Sequence, residues 1–516
     1  MKKNLNPYKN WVALRKGIQW IALVGFLALF ITAPLHIWPP QLTNLPMRLD
    51  PLLMLIGSIA SRSFLTGSVI ALSVVVLTLL FGRAWCGWLC PLGTVLDLFP
   101  LKASSRKASP GPPSLGPQGS FRRWKYILLL LILGMAIFGS LSLLYLDPLT
   151  IMQRSFTSAF WPALDRIVTA AESALVRLPF LESPVMQFDS SVRPLLFPVQ
   201  PIFSRAAALF AGFFAAIVAL NLITRRFWCR YLCPLGGLLG LLSKFALFRR
   251  QVSEDCKGCK LCSTACPTGT IDPERGYTSD PAECTMCLDC LEVCPRSDIA
   301  INLKPALTPW NPAYDPSRRQ ALFSLAAAAA SVAVFQSDML HAQPSPFQLR
   351  PPGSMEEDIL SRCVRCGECM RVCPMGALQP ALSEAGFEGL WSPILLPRLG
   401  YCDFACHACG EVCPTQAIPP LSLEEKRQQV IGKAYIDENR CLAWADHTDC
   451  IVCEEMCPLP DKAIQLSEQL VESVDGAQKM IKLPHVLRER CIGCGICEYK
   501  CPLAGESAIR VRVTTH

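Results

Sequence analysis

Six times this chain sets four cysteines at a spacing able to wrap an iron–sulfur cube. Cys256, Cys259, Cys262 and Cys266-Pro267 follow C-x2-C-x2-C-x3-C-P, and Cys284, Cys287, Cys290 and Cys294-Pro295 repeat the pattern. Three closely spaced thiolates can hold three corners of a cubane while backbone N–H groups of the loop point at its sulfides. The fourth thiolate then reaches across to the partner cluster. The spacing therefore assigns Cys256, Cys259, Cys262 and Cys294 to one [4Fe–4S] cluster, and Cys284, Cys287, Cys290 and Cys266 to the other. Zinc ribbons use two separated C-x2-C pairs, often with histidine, and fit this run poorly. Proline after each fourth cysteine is expected at the first position of a helix, where its missing N–H costs nothing.

Four further motifs lie beyond residue 346. Cys363, Cys366, Cys369 and Cys373-Pro374 are regular, as are Cys491, Cys494, Cys497 and Cys501-Pro502. Cys402, Cys406, Cys409 and Cys413-Pro414 open with x3, and Cys441, Cys450, Cys453 and Cys457-Pro458 carry an eight-residue insertion, Leu442 to Asp449. Short apolar pairs follow each Cys-Pro step: Ala377-Leu378, Ala417-Ile418, Ala463-Ile464 and Ala508-Ile509. Each unit reads as cluster loop, short helix, short strand. Twenty-four of the 28 cysteines are thus placed.

The other four form an internal repeat, Cys86-x3-Cys90-Pro91-Leu92-Gly93 and Cys229-x3-Cys233-Pro234-Leu235-Gly236. Two readings stand: reduced, structural pairs at helix breaks, or one four-thiolate metal site shared between half-repeats. If the thiols converge, Arg83, Arg226 and Arg230 beside them are expected to lower their pKa values.

These motifs need membrane elements to hold them. Apolar runs at Gly17–Trp38, Leu65–Gly82, Tyr126–Leu146 and Ala206–Thr224 have the roughly 17–25 residues needed to cross a bilayer. Basic residues flank them on one side, so the Cys-x3-Cys pairs and residues 251–305 are expected in the cytoplasm. The stretch from Asp147 to Arg205 reads as a semi-apolar outer loop along the membrane surface. Arg318-Arg319 followed by an alanine-rich run has the grammar of a twin-arginine export signal, or of a positive-inside flank to an anchor. Sixteen cysteines lie beyond it, and thiols sent unfolded into an oxidising compartment would scramble, so export after cluster loading is the consistent reading. Residues 1–340 carry 32 Lys/Arg against 18 Asp/Glu, and the remainder 17 against 23. The expected fold is multi-domain. Residues 1–250 form an α-helical membrane bundle of four spans, and 251–305 a cytoplasmic two-cluster domain. Residues 306–345 are a linker with the twin-arginine segment, and 346–516 an exported α+β ferredoxin-like domain with four clusters. No charge block suggests nucleic acid.

The ordered combination resembles the ferredoxin-type proteins that supply electrons to periplasmic nitrate reductase. Residues 1–300 resemble the membrane subunit NapH, and residues 317–516 resemble the exported subunit NapG and its relative MauM. The resemblance implies movement of electrons between membrane quinol and a periplasmic reductase or cytochrome, alongside other subunits of a membrane redox complex. It also implies that the first exported motif pairs with the last, Cys363, Cys366 and Cys369 with Cys501, and Cys491, Cys494 and Cys497 with Cys373. Two other classes stay open: a relay without a quinone site, and a maturation factor for a metalloenzyme. With no bis-histidine pair in the bundle and no C-x-x-C-H, neither b-type nor covalent haem is expected, and no flavin or nucleotide fingerprint is present. For the quinone site, the sequence offers Arg48, Asp50, Arg62, Asp147 and Arg154 near bilayer depth. His36 is the one histidine placed to help, its other reading being a hydrogen-bonded interfacial side chain.

Overall fold

Proline after a capping residue starts the helices of the N-terminal half. The computed structural model describes residues 8–99, 118–197, 203–303, 318–335, 348–382, 384–472 and 478–513. The Pro110-Gly111-Pro112-Pro113 linker, His341, His516 and most of the segment around the twin arginines lie outside the described residues.

The helices are α1 (Tyr8–Thr32), α2 (Pro51–Ala60), α3 (Ser68–Phe81), α4 (Ala84–Trp88), α5 (Pro91–Leu98) and α6 (Gln118–Ile137), then α7 (Pro148–Ser155), α8 (Trp161–Leu175), α9 (Ala207–Ala219), α10 (Phe227–Tyr231) and α11 (Pro234–Ser243). Leu49-Asp50-Pro51-Leu52 and Leu146-Asp147-Pro148-Leu149 open α2 and α7 as a second repeat. Asp50 Oδ1 accepts from the N–H groups of Leu52 (2.8 Å) and Leu53 (3.2 Å), and Asp147 Oδ2 from those of Leu149 (2.9 Å) and Thr150 (3.1 Å). These are N-caps with proline at the first helical position. Cys90-Pro91 and Cys233-Pro234 open α5 and α11 the same way. Helix α2 of the first half packs on α11 of the second, and α7 of the second packs on α5 of the first. The halves therefore interlock by exchanging their Asp-Pro helices.

Among the described residues, one helical segment, Asn10–Leu35, is long and apolar enough to cross a membrane. The other expected spans are shorter as helices: α3 has 14 residues and α9 has 13. Helix α6 stops at Ile137, nine residues before the expected end at Leu146, because the chain turns at Gly139, whose φ is +81°. The segment expected as a surface loop from Asp147 to Arg205 begins with a buried helix, all eight residues of α7, while most of residues 161–196 are exposed. The described part of the twin-arginine segment is a helix, Arg318–Phe335. Its Ala328 is fully buried, and a Cβ at Gly134 of α6 would stand 2.5 Å from the Ala328 Cβ, so the two helices meet through small residues.

Two compact units divide the chain. One comprises Met1–Ile31, Leu42–Ser155 and Ala208–Ala333. In it, β1 (Phe248–Val252) pairs antiparallel with β4 (Ile299–Leu303), and β2 (Ile271–Asp272) with β3 (Thr278–Ser279), framing the Cys256–Cys294 region. The other unit comprises Thr32–Gln41, Phe156–Ala207 and Val334–His516. Its core of Leu349, Ile359, Leu378, Leu395, Ile464, Ile509 and Val511 is ringed by cysteines. Antiparallel pairs β5 (Leu378–Pro380) with β6 (Pro393–Leu395), β7 (Lys433–Ile436) with β10 (Ile509–Arg512), and β8 (Ile464–Glu472) with β9 (Gln478–Val486) close it. A strand follows three of its four Cys-Pro steps, but Ala417-Ile418 is buried without becoming one.

Candidate iron–sulfur sites

Each cluster loop is made by backbone shape first. In all four regular motifs the residue before the second cysteine has positive φ: Gly258 (69°), Met286 (49°), Arg365 (58°) and Gly493 (72°). So does the residue after it: Lys260 (63°), Leu288 (65°), Gly367 (83°) and Gly495 (83°). Two left-handed residues curl the loop tightly enough for three thiols to face one point. In the irregular motifs the matching positions after the second cysteine, His407 (φ −135°) and Ile451 (φ −120°), have negative φ. The longer first spacing makes the left-handed turn unnecessary there.

A short helix carries the third cysteine, as in Leu261–Ala265 and Asp289–Glu292. The expected helix after Cys-Pro does not form. Cys266 is extended (φ −66°, ψ 114°), and the conformational limit that proline places on its predecessor ends the helix before it.

The cysteines assemble as six quartets. Cys256, Cys259 and Cys262 line one cavity with Cys294, and Cys284, Cys287 and Cys290 line another with Cys266, as the spacing implies. In the C-terminal unit, neighbouring motifs exchange their fourth cysteine. Cys441, Cys450 and Cys453 share a cavity with Cys501, and Cys491, Cys494 and Cys497 share one with Cys457. Cys413 lies within electrostatic reach of Cys363, Cys366 and Cys369, and Cys373 within reach of Cys402, Cys406 and Cys409. The first-with-last pairing implied by the resemblance is therefore corrected to first with second and third with fourth.

The donor sets suit a [4Fe–4S] cluster. Backbone N–H groups are directed at sulfur: Ala434 donates to Cys491 Sγ at 3.3 Å, and Cys373 receives bonds from Met375, Gly376, Ala377 and Leu378. Such bonds stabilise the negative charge of a cluster and its thiolates. Burial pushes the Cys290 and Cys453 thiols up to about 12, so bare thiols there stay neutral and loading a metal displaces their protons.

The four remaining thiols lie near one another. Cys86, Cys90, Cys229 and Cys233 are all buried, and their charges act on one another. Arg83 Nη2 donates to the Cys229 carbonyl at 3.4 Å, and Arg226 Nη1 to the Cys86 carbonyl at 3.3 Å, so each half-repeat clamps the other. The glycines of Pro-Leu-Gly make room: a Cβ at Gly236 would stand 2.6 Å from Arg83 Nη2. The lowered pKa values expected here are corrected. Burial outweighs Arg226 and pushes Cys90, Cys229 and Cys233 up, while Arg230 turns away to the Pro267 carbonyl at 3.0 Å.

The first cysteine helix, α4, also touches the loop of the Cys284–Cys290 motif. Trp88 Nε1 donates to Met286 O at 2.9 Å, and a Cβ at Gly87 would meet Thr285 O at 2.1 Å. Sequence reasoning missed Glu283, which precedes Cys284. It is buried against Lys125 Nζ (2.6 Å), Arg83 Nη1 (3.4 Å) and Arg122 Nη1 (3.5 Å). Burial pushes its pKa up, but these three cations together hold it below the usual glutamate value. Its signal in the sequence is faint, one acid amid a basic half. Asp50 and Asp147 are fully buried and near enough to act on one another, and burial pushes both carboxyls up. His36 lies at the surface, its side chain 54% exposed, with Nδ1 4.0 Å from Glu411 Oε2.

Comparison with known proteins agrees with this chemistry. Residues 63–107 and 206–253 match a 4Fe-4S binding domain family, 249–304 a 4Fe-4S dicluster domain family, and 357–379 a further 4Fe-4S binding domain family. The methylamine utilization ferredoxin-type protein MauM of Methylorubrum extorquens is 39% identical over 168 residues, 32% of this chain and 71% of that protein. The ferredoxin-type protein NapG of Escherichia coli is 32% identical over 176 residues, 33% of this chain and 72% of that protein. The regulatory protein NosR of Pseudomonas aeruginosa is 27% identical over 246 residues, 47% of this chain but 26% of that protein. No solved structure matches the chain. With iron–sulfur domain matches in both halves and the MauM and NapG relatives covered over more than two-thirds of their length, the chain belongs to the MauM/NapG family of ferredoxin-type iron–sulfur electron-transfer proteins.

Proposed function

We propose that the chain is a membrane-bound polyferredoxin carrying electrons between the quinone pool and a periplasmic redox partner through six [4Fe–4S] clusters, and that it fuses a NapH-type membrane half to a NapG/MauM-type exported half. The observation that carries this reading is the set of six thiol quartets. When bound, each cluster supplies a one-electron store. The chain's own residues set the spacing between stores, aim N–H groups at sulfur and exclude water from the thiols.

Two observations support four crossings with the halves on opposite faces. Large apolar side chains such as Trp20, Ile21, Val69, Leu72 and Leu209 are exposed along α1, α3 and α9, as a lipid-facing surface requires. The segments expected outside, 32–41 and 156–207, belong to the same compact unit as the proposed exported domain. There Arg205 pairs with Glu384 at 2.5 Å, and Gln379 Nε2 donates to Phe203 O at 2.8 Å. The helix 318–335, with Leu322, Phe323 and Leu325 exposed and Ala328 buried, fits a retained anchor after the twin arginines. The Cys86, Cys90, Cys229 and Cys233 cluster, in contact with the loops around Met286 and Pro267, fits a further metal site that shortens the route across the bilayer.

A quinone-independent relay and a maturation factor are the competing readings. Both predict that quinol leaves the clusters oxidised, which separates them from the first reading. The cluster count is tested directly. Anaerobically purified chain should hold about 24 irons and as many acid-labile sulfides, four per quartet, with any iron above that assigned to the Cys86–Cys233 site. Half that iron, or stoichiometric zinc, overturns the six-cluster reading.

A further inference from the structure

A cavity of about 220 Å³ lies where α3 ends against β1, outside every cysteine quartet. Phe81 and Phe248 form one wall as stacked rings, with centroids 5.1 Å apart and planes at 13°. Arg250, Ser279, Cys284 and Met286 form the opposite side, and these same four residues also line the space enclosed by Cys266, Cys284, Cys287 and Cys290. One layer of side chains therefore separates the cavity from a cluster site.

Arg250 stands in that layer with capacity to spare. Its Nη1 donates to Tyr277 O at 2.7 Å and its guanidinium contacts the Cys290 thiol, while Nε and Nη2 are buried without an oxygen acceptor. A buried guanidinium with unused donors is costly unless something accepts from it. The volume falls below the roughly 300 Å³ of drug-sized pockets and suits one small ring system. Phe245 and Leu247, flanking the lining residue Ala246, are exposed apolar side chains, so the approach is apolar.

We propose that this cavity binds the headgroup of a quinone or hydroquinone, with Arg250 donating to a ring oxygen and Cys284 and Met286 forming the path to the adjacent cluster site. The proposal rests on the quinone-linked reading above. In hydroquinone oxidation two O–H bonds break and two C–O bonds become C=O. One electron goes to each of the two cytoplasmic cluster sites, and both protons pass to water at the cavity mouth.

The test uses full-length chain in detergent, with menadiol as reductant and menadione for equilibrium binding. Thr278→Trp, at an exposed lining position, should fill the mouth. It should lower menadione binding and menadiol-driven cluster reduction at least tenfold, while iron content and dithionite reduction match the wild type. Arg250→Gln should weaken menadione binding about tenfold, the loss of one charged hydrogen bond. If menadiol reduces wild type and Thr278→Trp equally, the cavity is not the site, though the quinone-linked reading stands. If wild type neither binds menadione nor is reduced by menadiol, that reading fails and the proposal with it. If Arg250→Gln shifts only the reduction midpoint and leaves binding unchanged, Arg250 serves the cluster alone and its donation to the ring is overturned.

Discussion

The two cluster-bearing regions are held in place by opposite means. The Cys256–Cys294 region has a small apolar cluster, Ile271, Leu288, Leu291 and Ile299, that Val12 of α1 joins, and is further fastened to the helices by polar clamps. Glu283 meets three cations, Arg230 holds Pro267 O, Arg122 Nη2 holds Gly269 O at 2.8 Å, and Arg15 of α1 pairs with Asp289 at 3.0 Å. The C-terminal region gathers its quartets around a continuous apolar core. Burial of apolar surface is non-directional, whereas a buried ion pair demands one geometry. The first region is thus fixed against the helices by directional contacts, and the second is held chiefly by apolar burial.

The largest way to break this contrast is Glu283→Leu. It leaves Lys125, Arg83 and Arg122 buried and facing one another without their carboxylate, a loss of about 3–5 kcal/mol. Iron should fall by about a third, with the electron paramagnetic signals of the C-terminal clusters unchanged. Equal loss from both regions would mean they fold as one. The pH dependence follows the same side chain. Because its folded pKa is depressed, Glu283 contributes stability that is present above the unfolded value, near 4.5, and is lost as pH falls through the folded one. Acid should therefore strip the clusters of the Cys256–Cys294 region first, and a Glu283→Gln chain should lose that pH dependence.

A middle-sized effect probes the half-repeats. Gly236→Ala drives a Cβ to 2.6 Å from Arg83 Nη2, whereas Gly93→Ala meets Arg226 Nη2 only at 3.9 Å and the Cys86 carbonyl at 3.0 Å. Overpacking a tight site costs about 1–3 kcal/mol, so Gly236→Ala should lower thermal retention of folded chain in detergent more than Gly93→Ala. Gly212→Ala, with nothing within 4 Å, should match wild type. Equal effects at Gly236 and Gly212 would show that the arginine clamp yields freely.

What the sequence displays well is chemistry carried by local spacing. The six motifs, and the pairing of Cys266 with the second cluster and Cys294 with the first, follow from adjacent residues and from one short connection. The pairing among Cys373, Cys413, Cys457 and Cys501 does not, since it depends on which motifs become neighbours around a shared core. Asp50 and Asp147 stand out as ionisable groups, yet Asp-Pro-Leu is an ordinary turn signal. Only packing shows the two carboxyls near one another and the helices α2 and α7 exchanged between halves. The expected lowering of the Cys90, Cys229 and Cys233 pKa values failed for a physical reason: adjacent arginines are visible in sequence, but desolvation of a buried thiol is not.

The smallest effect tests the left-handed turns themselves. The C-terminal region uses Gly367 and Gly495 after the second cysteine, while the Cys256–Cys294 region places Lys260 and Leu288 in the same conformation. A side chain at positive φ costs roughly 1–2 kcal/mol. Glycine removes that strain but adds freedom to the unfolded chain, roughly 0.5–1 kcal/mol. Lys260 has no role in the core, so Lys260→Gly should stabilise its loop by about 0–1 kcal/mol, and the Cys256–Cys294 cluster should be lost to a chelator no faster than in wild type. Gly495→Ala runs the other way, with φ at +83° and a new Cβ 2.8 Å from Pro397 Cβ, and should speed loss of the cluster held by Cys491, Cys494, Cys497 and Cys457. Faster chelation after Lys260→Gly would mean that the lysine side chain itself guards the exposed Cys259, and that this loop gains more from a cation than it loses to backbone strain.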